Sequence, residues 1–126
     1  MIRTGDQYRE SIRDGRDVWI NGEKVKDVTT HPSFKPVVDI RARIYDMQHD
    51  KATRDIMTAE VDGDLVAQGT KLPYTQEDWH AKRKEFDTVM IHVGGFVNRV
   101  AHDTVGEMLS LLDGNYILKK INERLS

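Results

Sequence analysis

A short polar segment, residues 96–103, contains the side chains best suited to chemistry in this chain. Arg99, His102 and Asp103 stand close together there, between two segments whose apolar residues recur at helical spacing. A guanidinium and an imidazole at the mouth of a helix pair can hold the oxygen of a phenolic or acidic substrate by charge-assisted hydrogen bonds. The alternative is a simple connector that ends in a helix cap at Thr104, and the spacing alone favours that alternative.

Other catalytic and metal-binding patterns are missing from the sequence. The five histidines stand in no H-E-x-x-H or comparable spacing, so we expect no metal site. No serine lies in a G-x-S-x-G elbow, and Gly94-Gly95 is not part of a G-x-G-x-x-G dinucleotide fingerprint. Because the chain has no cysteine, disulfides, thiolate nucleophiles and cysteine-ligated iron-sulfur or zinc sites are excluded.

Charge and hydropathy narrow the range of partners. The chain has 126 residues, of which 19 are basic and 21 acidic, for a formal net charge of -2. This balance creates no broad cationic field for nucleic acid or for an anionic membrane. The N-terminus is polar, and no apolar run approaches the length that spans a bilayer. We therefore expect a cytoplasmic chain without nucleic-acid or membrane partners.

Local signals predict the elements that must position the polar segment. Thr4 opens a capping box and predicts a helix near residues 5–13. Asn21-Gly22 accepts the positive φ angles of a two-residue hairpin turn. Apolar residues at helical spacing then predict an amphipathic helix near residues 36–48.

The middle of the chain predicts a second hairpin and a long helix. Asp62-Gly63 lies between two β-compatible segments, and Thr75 offers a cap for a helix that bends or ends at Gly94-Gly95. The basic run 82–84 is expected on the solvated face of this helix. Its predicted apolar stripe consists of Trp79, Phe86, Met90, Val93 and Val97.

The last part of the chain predicts two more helical segments. Thr104 and Glu107 have capping-box spacing, Asp113-Gly114 marks the end of that helix, and a final amphipathic segment follows. The predicted fold class is therefore α+β and mainly α, a helical domain with two short β-hairpins.

Residues 15–36, GRDVWINGEKVKDVTTHPSFKP, carry a family resemblance together with the neighbouring RARIYDMQHD and KLPYTQEDWHAKRKEFD. This order of residues resembles the opening of flavin-dependent aromatic monooxygenases of the 4-hydroxyphenylacetate 3-hydroxylase family. The resemblance implies that residues 1–126 form a single N-terminal helical domain of an acyl-CoA dehydrogenase-like fold. Because the family's flavin-binding β domain and C-terminal helical bundle are absent, the chain is expected to be a domain-sized fragment.

The resemblance also implies an activity and its partners. In the family, the oxygenase component hydroxylates a phenol with reduced FAD that a separate flavin reductase supplies. Arg99 falls on the arginine of an Arg-Ser-Pro-Asp-Tyr motif that touches the phenolic substrate, and His102 and Asp103 would tune it. Asp103 occupies the place of the tyrosine, so substrate identity stays open. We expect the chain alone to be inactive and to bind no FAD or metal.

Two alternatives remain beside the monooxygenase interpretation. The same superfamily includes 4-hydroxybutyryl-CoA dehydratase, a flavin enzyme whose iron-sulfur cluster is held partly by cysteines from the corresponding region. Because this sequence has no cysteine, it lacks those cluster ligands, and the dehydratase interpretation is not supported unless only the fold is shared. The chain could instead be a non-catalytic helical interaction or dimerisation module derived from the family. Its three apolar stripes exceed what one short helix and two hairpins can cover, so a homo-oligomer is expected.

Overall fold

The computed structural model describes residues 2–95 and 102–121, without the side chains of 102–105 and 109. Six α-helices and four short strands follow one another along these residues, and a 3-10 turn at Gln68–Thr70 precedes the longest helix. The predicted fold class, mainly helical α+β with two small hairpins, is confirmed. In chain order the elements are α1 (Gly5–Ser11), β1 (Val18–Ile20), β2 (Glu23–Val25), α2 (Lys35–Asp46), α3 (Arg54–Met57), β3 (Thr58–Val61), β4 (Asp64–Ala67), α4 (Gln76–His92), α5 (His102–Asp113) and α6 (Asn115–Ile121).

Both predicted hairpins are present as separate two-stranded antiparallel sheets. Strand β1 pairs with β2 around Asn21 and Gly22, whose φ angles are 50° and 81°. Strand β3 pairs with β4 around Asp62 and Gly63, with φ angles of 54° and 84°. Two consecutive positive φ angles are the signature of the primed turn whose twist matches that of the flanking strands.

Helix α1 docks on α2 through backbone and ring contacts. Its capping box at Thr4 is formed as predicted. The N–H of Gly5 donates to Asp46 Oδ1 at 2.7 Å, and the rings of Tyr8 and Tyr45 stack with centroids 5.1 Å apart. Arg3 lies over the same Tyr45 ring, 5.0 Å from its centroid. The N-terminal helix is thereby tied to the centre of the domain.

The apolar core lies where α2, α3 and α4 meet. Its buried members are Ile44, Met47, Met57 and Val89, and Val93 packs against them. No helix within residues 2–95 and 102–121 has the length and apolar character needed to cross a membrane.

The buried face of α4 agrees with the predicted stripe only in part: Val93 packs against the core, and Val97 lies outside the described residues. Trp79 and Phe86 are 60% and 37% exposed, whereas the residues that α4 buries are Lys82, Glu85 and Val89. The prediction that the run 82–84 is solvated is therefore wrong for Lys82, although Arg83 and Lys84 are exposed. The cause is the 3-10 turn beside α4, because its Gly69 carbonyl accepts a hydrogen bond from Lys82 Nζ that an apolar side chain could not donate.

The ends of the last long helices are only partly as predicted. Helix α4 ends at His92, and Gly94 and Gly95 follow with φ angles of 70° and 76°, so the predicted end is confirmed. The structure describes α5 from His102 onward, so Thr104 lies inside the helix and the predicted start at that residue is wrong. The predicted stop holds, since α5 ends at Asp113.

Candidate functional site

Of the three residues predicted to act on a substrate, the structure describes only the backbone of His102 and Asp103, which lies in α5. Arg99 lies outside the described residues. The backbone of His102 and Asp103 lies in the first described turn of α5, so these two residues belong to the helix and not to the connector that spacing favoured. A helix N-terminus carries partial positive charge and free N–H groups, which favour an anion such as a phenolate nearby.

A cleft lies along α5 and opens to its side. It has a volume of about 630 Å³ and runs between the loop before α4 and one face of α5. Two aromatic rings form its outer wall, since Tyr74 is 81% and Trp79 60% exposed. The cleft is lined by Leu72, Pro73, Tyr74, Trp79, Gly106, Ser110, Leu112 and Asp113.

The floor of the cleft on α5 is made of small residues. A methyl group added at Gly106 would meet no atom within 4 Å, which leaves room above the helix backbone. The Ser110 hydroxyl donates to the Gly106 carbonyl at 2.8 Å, so its oxygen keeps acceptor capacity. Exposed aromatic faces above an open helix surface suit a flat aromatic ligand, because rings prefer offset or edge contacts with other rings.

Asp78 holds the loop that presents Tyr74. Its carboxylate accepts from Lys71 Nζ at 2.6 Å and from the backbone N–H groups of Tyr74 and Thr75, both at 3.0 Å. The Thr75 hydroxyl in turn accepts from the Asp78 N–H, which completes a capping box. The Lys71 hydrogen bond and these two N–H groups lower the pKa of Asp78 to about 2. The loop is therefore fixed by an ionised carboxylate at neutral pH.

Lys82 ties α4 to the 3-10 turn from inside the domain. Its Nζ donates to the Gly69 carbonyl at 2.7 Å, and the side chain is only 8% exposed. Burial lowers the pKa of Lys82, and the neighbouring Glu85 carboxylate partly opposes that shift. Because α5 contacts the same 3-10 turn, this hydrogen bond also supports the helix that lines the cleft.

The described residues offer no metal centre and no phosphate-binding loop. No group of three or more histidine, aspartate or glutamate side chains in residues 2–95 and 102–121 is arranged to hold a metal ion. The glycines at positive φ in this part of the chain lie in hairpin turns, in the loop after α1 and beyond α4, and none opens a helix. The described surface therefore provides an aromatic wall and fixed charges, without a cradle for a dinucleotide.

Sequence reasoning missed the two aromatic residues of the cleft and the buried lysine. Trp79 was assigned to the core stripe, and Tyr74 was not considered. A signal existed for Tyr74, because an aromatic residue between Pro73 and the helix cap Thr75 is held in a loop at the surface. No local signal marks Lys82, whose burial depends on the turn that packs against it.

Comparison with known proteins finds relatives along nearly the whole chain. Residues 4–125 match the family model described as 4-hydroxyphenylacetate 3-hydroxylase N terminal. The 2,4,6-trichlorophenol monooxygenase of Cupriavidus pinatubonensis is 38% identical over 96 residues, which cover 75% of this chain and 19% of that protein. The 4-hydroxyphenylacetate 3-monooxygenase oxygenase component of Thermus thermophilus is 40% identical over 79 residues, 62% of this chain and 16% of that protein.

Solved structures of similar fold match this chain as well. The oxygenase component of 4-hydroxyphenylacetate 3-monooxygenase in complex with FAD superposes with a TM-score of 0.67 at 34% identity, over 71% of this chain and 19% of that chain. An archaeal 4-hydroxybutyryl-CoA dehydratase from N. maritimus superposes over 98% of this chain and 24% of its own, with a TM-score of 0.77 at 24% identity. The second likeness concerns the fold alone. The chain thus spans about a fifth of the length of the relatives it matches.

Proposed function

Because the chain belongs to the 4-hydroxyphenylacetate 3-hydroxylase family, we propose that it is the substrate-side N-terminal domain of a reduced-flavin-dependent aromatic monooxygenase, in its oxygenase component. The observation that carries this proposal is the family match over residues 4–125. Relatives with 38% and 40% identity are named as a chlorophenol monooxygenase and a hydroxyphenylacetate monooxygenase, both of which act on phenols. The substrate class proposed here is accordingly a small phenol.

Arg99 is proposed to bind the phenolic oxygen. A guanidinium forms strong charge-assisted hydrogen bonds to an oxyanion, and these gain strength where water is excluded. His102 and Asp103 follow in the first turn of α5, where the helix terminus favours the same anion. The family's tyrosine is replaced by Asp103, so a second neutral donor to the phenol has no counterpart at this position. The substrate should therefore depend on Arg99 more heavily.

Residues 1–126 are proposed to form one domain of a larger, multidomain oxygenase. When bound, reduced FAD supplies the oxygen chemistry, and the protein supplies orientation, charge and exclusion of water. The described residues provide no phosphate-binding loop, so the flavin would be held mainly by other domains of a full-length chain. A separate flavin reductase would deliver it, and the oxygenase is proposed to be a homo-oligomer.

A domain exchange tests the proposal. Residues 1–126 would replace the matching segment of the T. thermophilus oxygenase component, and the hybrid would receive FAD, a flavin reductase, NADH and 4-hydroxyphenylacetate or 2,4,6-trichlorophenol. We expect hydroxylated product and phenol-dependent consumption of reduced flavin and oxygen. A folded, FAD-binding hybrid that converts none of a panel of phenols would contradict the proposal.

Variants of the same hybrid test the role of Arg99. Arg99→Ala should lower turnover and leave the melting temperature unchanged. The expected loss of binding free energy is about 1.5–3 kcal/mol, the contribution of a hydrogen bond to a charged group. Arg83→Ala is the matched control, because Arg83 is an exposed arginine on α4 paired only with Asp87 among the described residues. Lost stability with preserved turnover in Arg99→Ala would assign this arginine to helix capping instead.

A second candidate function is a non-catalytic interaction module. The observation that favours it is the apolar surface of α5 and α6, which the rest of the described chain leaves exposed. Flavin titration and light scattering on the isolated chain separate the two functions, since a module of this kind would associate stably and give no active hybrid.

A further inference from the structure

A second cavity lies between α2, α4 and the chain from β4 to the 3-10 turn. Its volume is about 400 Å³, near the lower end of the range of ligand pockets, roughly 300–1,000 Å³. Its floor includes Ile44, Gln48 and Glu85, which are 1%, 5% and 2% exposed. Arg3 and Thr70 also line it and are exposed, so they mark its mouth. Because its walls come from separate parts of the chain, the cavity is a recess within the domain.

Gln48 is the polar side chain that points to a ligand. It lies just after α2, and its amide makes no hydrogen bond to any residue in 2–95 or 102–121, although it is almost fully buried. Buried polar groups are nearly always hydrogen-bonded, so the cavity is the place for the missing partner of this amide. An amide has two donors and an acceptor, and it therefore suits a ligand that carries groups of both kinds.

Ionisable groups of both signs line the same cavity. Arg41 belongs to α2, and Arg3 precedes α1 and donates to Tyr45 Oη at 3.0 Å. Glu85 belongs to α4. A guanidinium has five N–H donors and a carboxylate has about four acceptor sites, so each can bind a ligand in addition to its contacts within the protein. The cavity thus offers donors for a carboxylate and acceptors for an ammonium group.

The remaining walls are aliphatic. The apolar lining residues are Ile2, Ile44, Val66 and Ala67. Tyr45 is the only aromatic residue among the described lining residues, and its ring already contacts the Tyr8 ring and the Arg3 guanidinium. An aliphatic side chain therefore matches these walls better than an aromatic ring does.

From these observations we propose that the cavity binds a small aliphatic α-amino acid as a zwitterion. Arg3 and Arg41 bind its carboxylate by charge-assisted hydrogen bonds, and Glu85 binds its ammonium group. The Gln48 amide donates to the first group and accepts from the second. Inorganic anions leave the apolar walls without a partner, and simple fatty carboxylates leave Glu85 and the Gln48 carbonyl without a donor.

This site is separate from the cleft beside α5. The two share no lining residue among those that the structure describes. Amino-acid binding therefore stands or fails independently of the oxygenase role, and its test needs only the 126-residue chain.

Calorimetric titration of the chain with glycine, alanine, valine and leucine tests the proposal. We expect saturable binding, strongest for valine or leucine, with a Kd below about 1 mM, as suits a ligand of this size. Isovalerate is valine without the ammonium group and isobutylamine is valine without the carboxylate, so each should bind at least tenfold more weakly than valine. No saturation by any of the four amino acids, or equal binding of isovalerate, would overturn the proposal. Displacement of valine by 4-hydroxyphenylacetate would also overturn it, because the cavity would then be a phenol site.

Two substitutions test the assigned contacts. Gln48→Met keeps the side-chain length without the amide and should weaken valine binding at least tenfold. Glu85→Gln should abolish the preference for valine over isovalerate, a change that a general loss of structure would not produce. The controls Gln76→Met and Glu77→Gln alter exposed residues at the start of α4 and should bind valine like wild type. Variants at Gln48 and Glu85 with a wild-type circular dichroism spectrum and unchanged valine binding would refute these contacts.

Discussion

Lys82 Nζ donates a hydrogen bond of 2.7 Å to the carbonyl oxygen of Gly69, inside the domain and between α4 and the 3-10 turn. The lysine is 8% exposed, so its removal would leave a carbonyl without a donor in a site that water reaches poorly. This contact joins the helix below the cleft to the turn that α5 touches.

Lys82→Ala should lower the free energy of unfolding by about 1–3 kcal/mol, because a buried acceptor loses its donor and the aliphatic stem loses its packing. Urea denaturation followed by circular dichroism measures this. Lys84→Ala, an exposed lysine on the same helix, should change the free energy by less than about 0.5 kcal/mol. Equal effects of the two substitutions would show that burial of Lys82 contributes nothing.

The lowered pKa of Lys82 predicts a pH dependence of stability. Between the folded-state pKa and the ordinary value of 10.5, the unfolded chain binds more protons at this residue. Stability contributed by Lys82 therefore rises with pH across that window. The difference in unfolding free energy between wild type and Lys82→Ala should increase from pH 7 toward about pH 10. A constant difference would mean that folding leaves the pKa of Lys82 unchanged, and a falling one that folding raises it; either result would contradict the prediction.

The lowered pKa of Asp78 predicts a pH dependence of stability in the acidic range. Its pKa is lowered from 3.8 to about 2, so its contribution is fully present above the ordinary value and is lost as the pH falls toward 2. Asp78→Asn should be less stable at neutral pH and should lose less stability on acidification. Denaturation midpoints at several pH values check this, with Asp64→Asn at an exposed strand position as control. If the denaturation midpoints of wild type and Asp78→Asn fell equally as the pH is lowered, the ionised Asp78 carboxylate would contribute nothing to stability.

Gly5→Ala should loosen the contact between α1 and α2. A Cβ at this position would lie 2.5 Å from Asp46 Oδ2 and 2.7 Å from the Ala42 carbonyl, so the helices would have to separate. Such overpacking costs about 1–3 kcal/mol, visible as a lower melting temperature. Gly106→Ala introduces the same methyl group into open space on α5 and should stabilise the chain by up to about 1 kcal/mol. A Gly5→Ala chain as stable as wild type would show that this approach is easily relaxed.

The isolated chain should not retain FAD. Cofactor sites bury most of the ligand in a concavity, whereas the cleft of about 630 Å³ is bounded by the largely exposed Tyr74 and Trp79. Fluorescence titration should show no saturable binding, with the oxygenase component known in complex with FAD as positive control. A yellow preparation that keeps its flavin through gel filtration would contradict this expectation.

Short-range features of this protein could be predicted from its sequence because their hydrogen bonds close within a few residues. The capping box at Thr4, the cap at Thr75 and the two primed turns are formed as expected. The stop after α4 at two glycines follows from their access to positive φ angles. Residues 15–36 and the segments around them likewise sufficed to indicate the family, because an order of residues along the chain can be compared without coordinates.

Only the tertiary structure decided which faces are buried. Helical spacing favoured a Trp79 and Phe86 stripe, yet α4 turns Lys82 and Glu85 inward. The reason is non-local, because the Gly69 carbonyl of the 3-10 turn lies against that side of α4 and accepts a hydrogen bond from Lys82 Nζ. The position of Thr104 inside α5 likewise could not be predicted locally, since its spacing to Glu107 is that of a capping box. Burial and helix ends depend on what packs against an element, and periodicity alone does not contain that information.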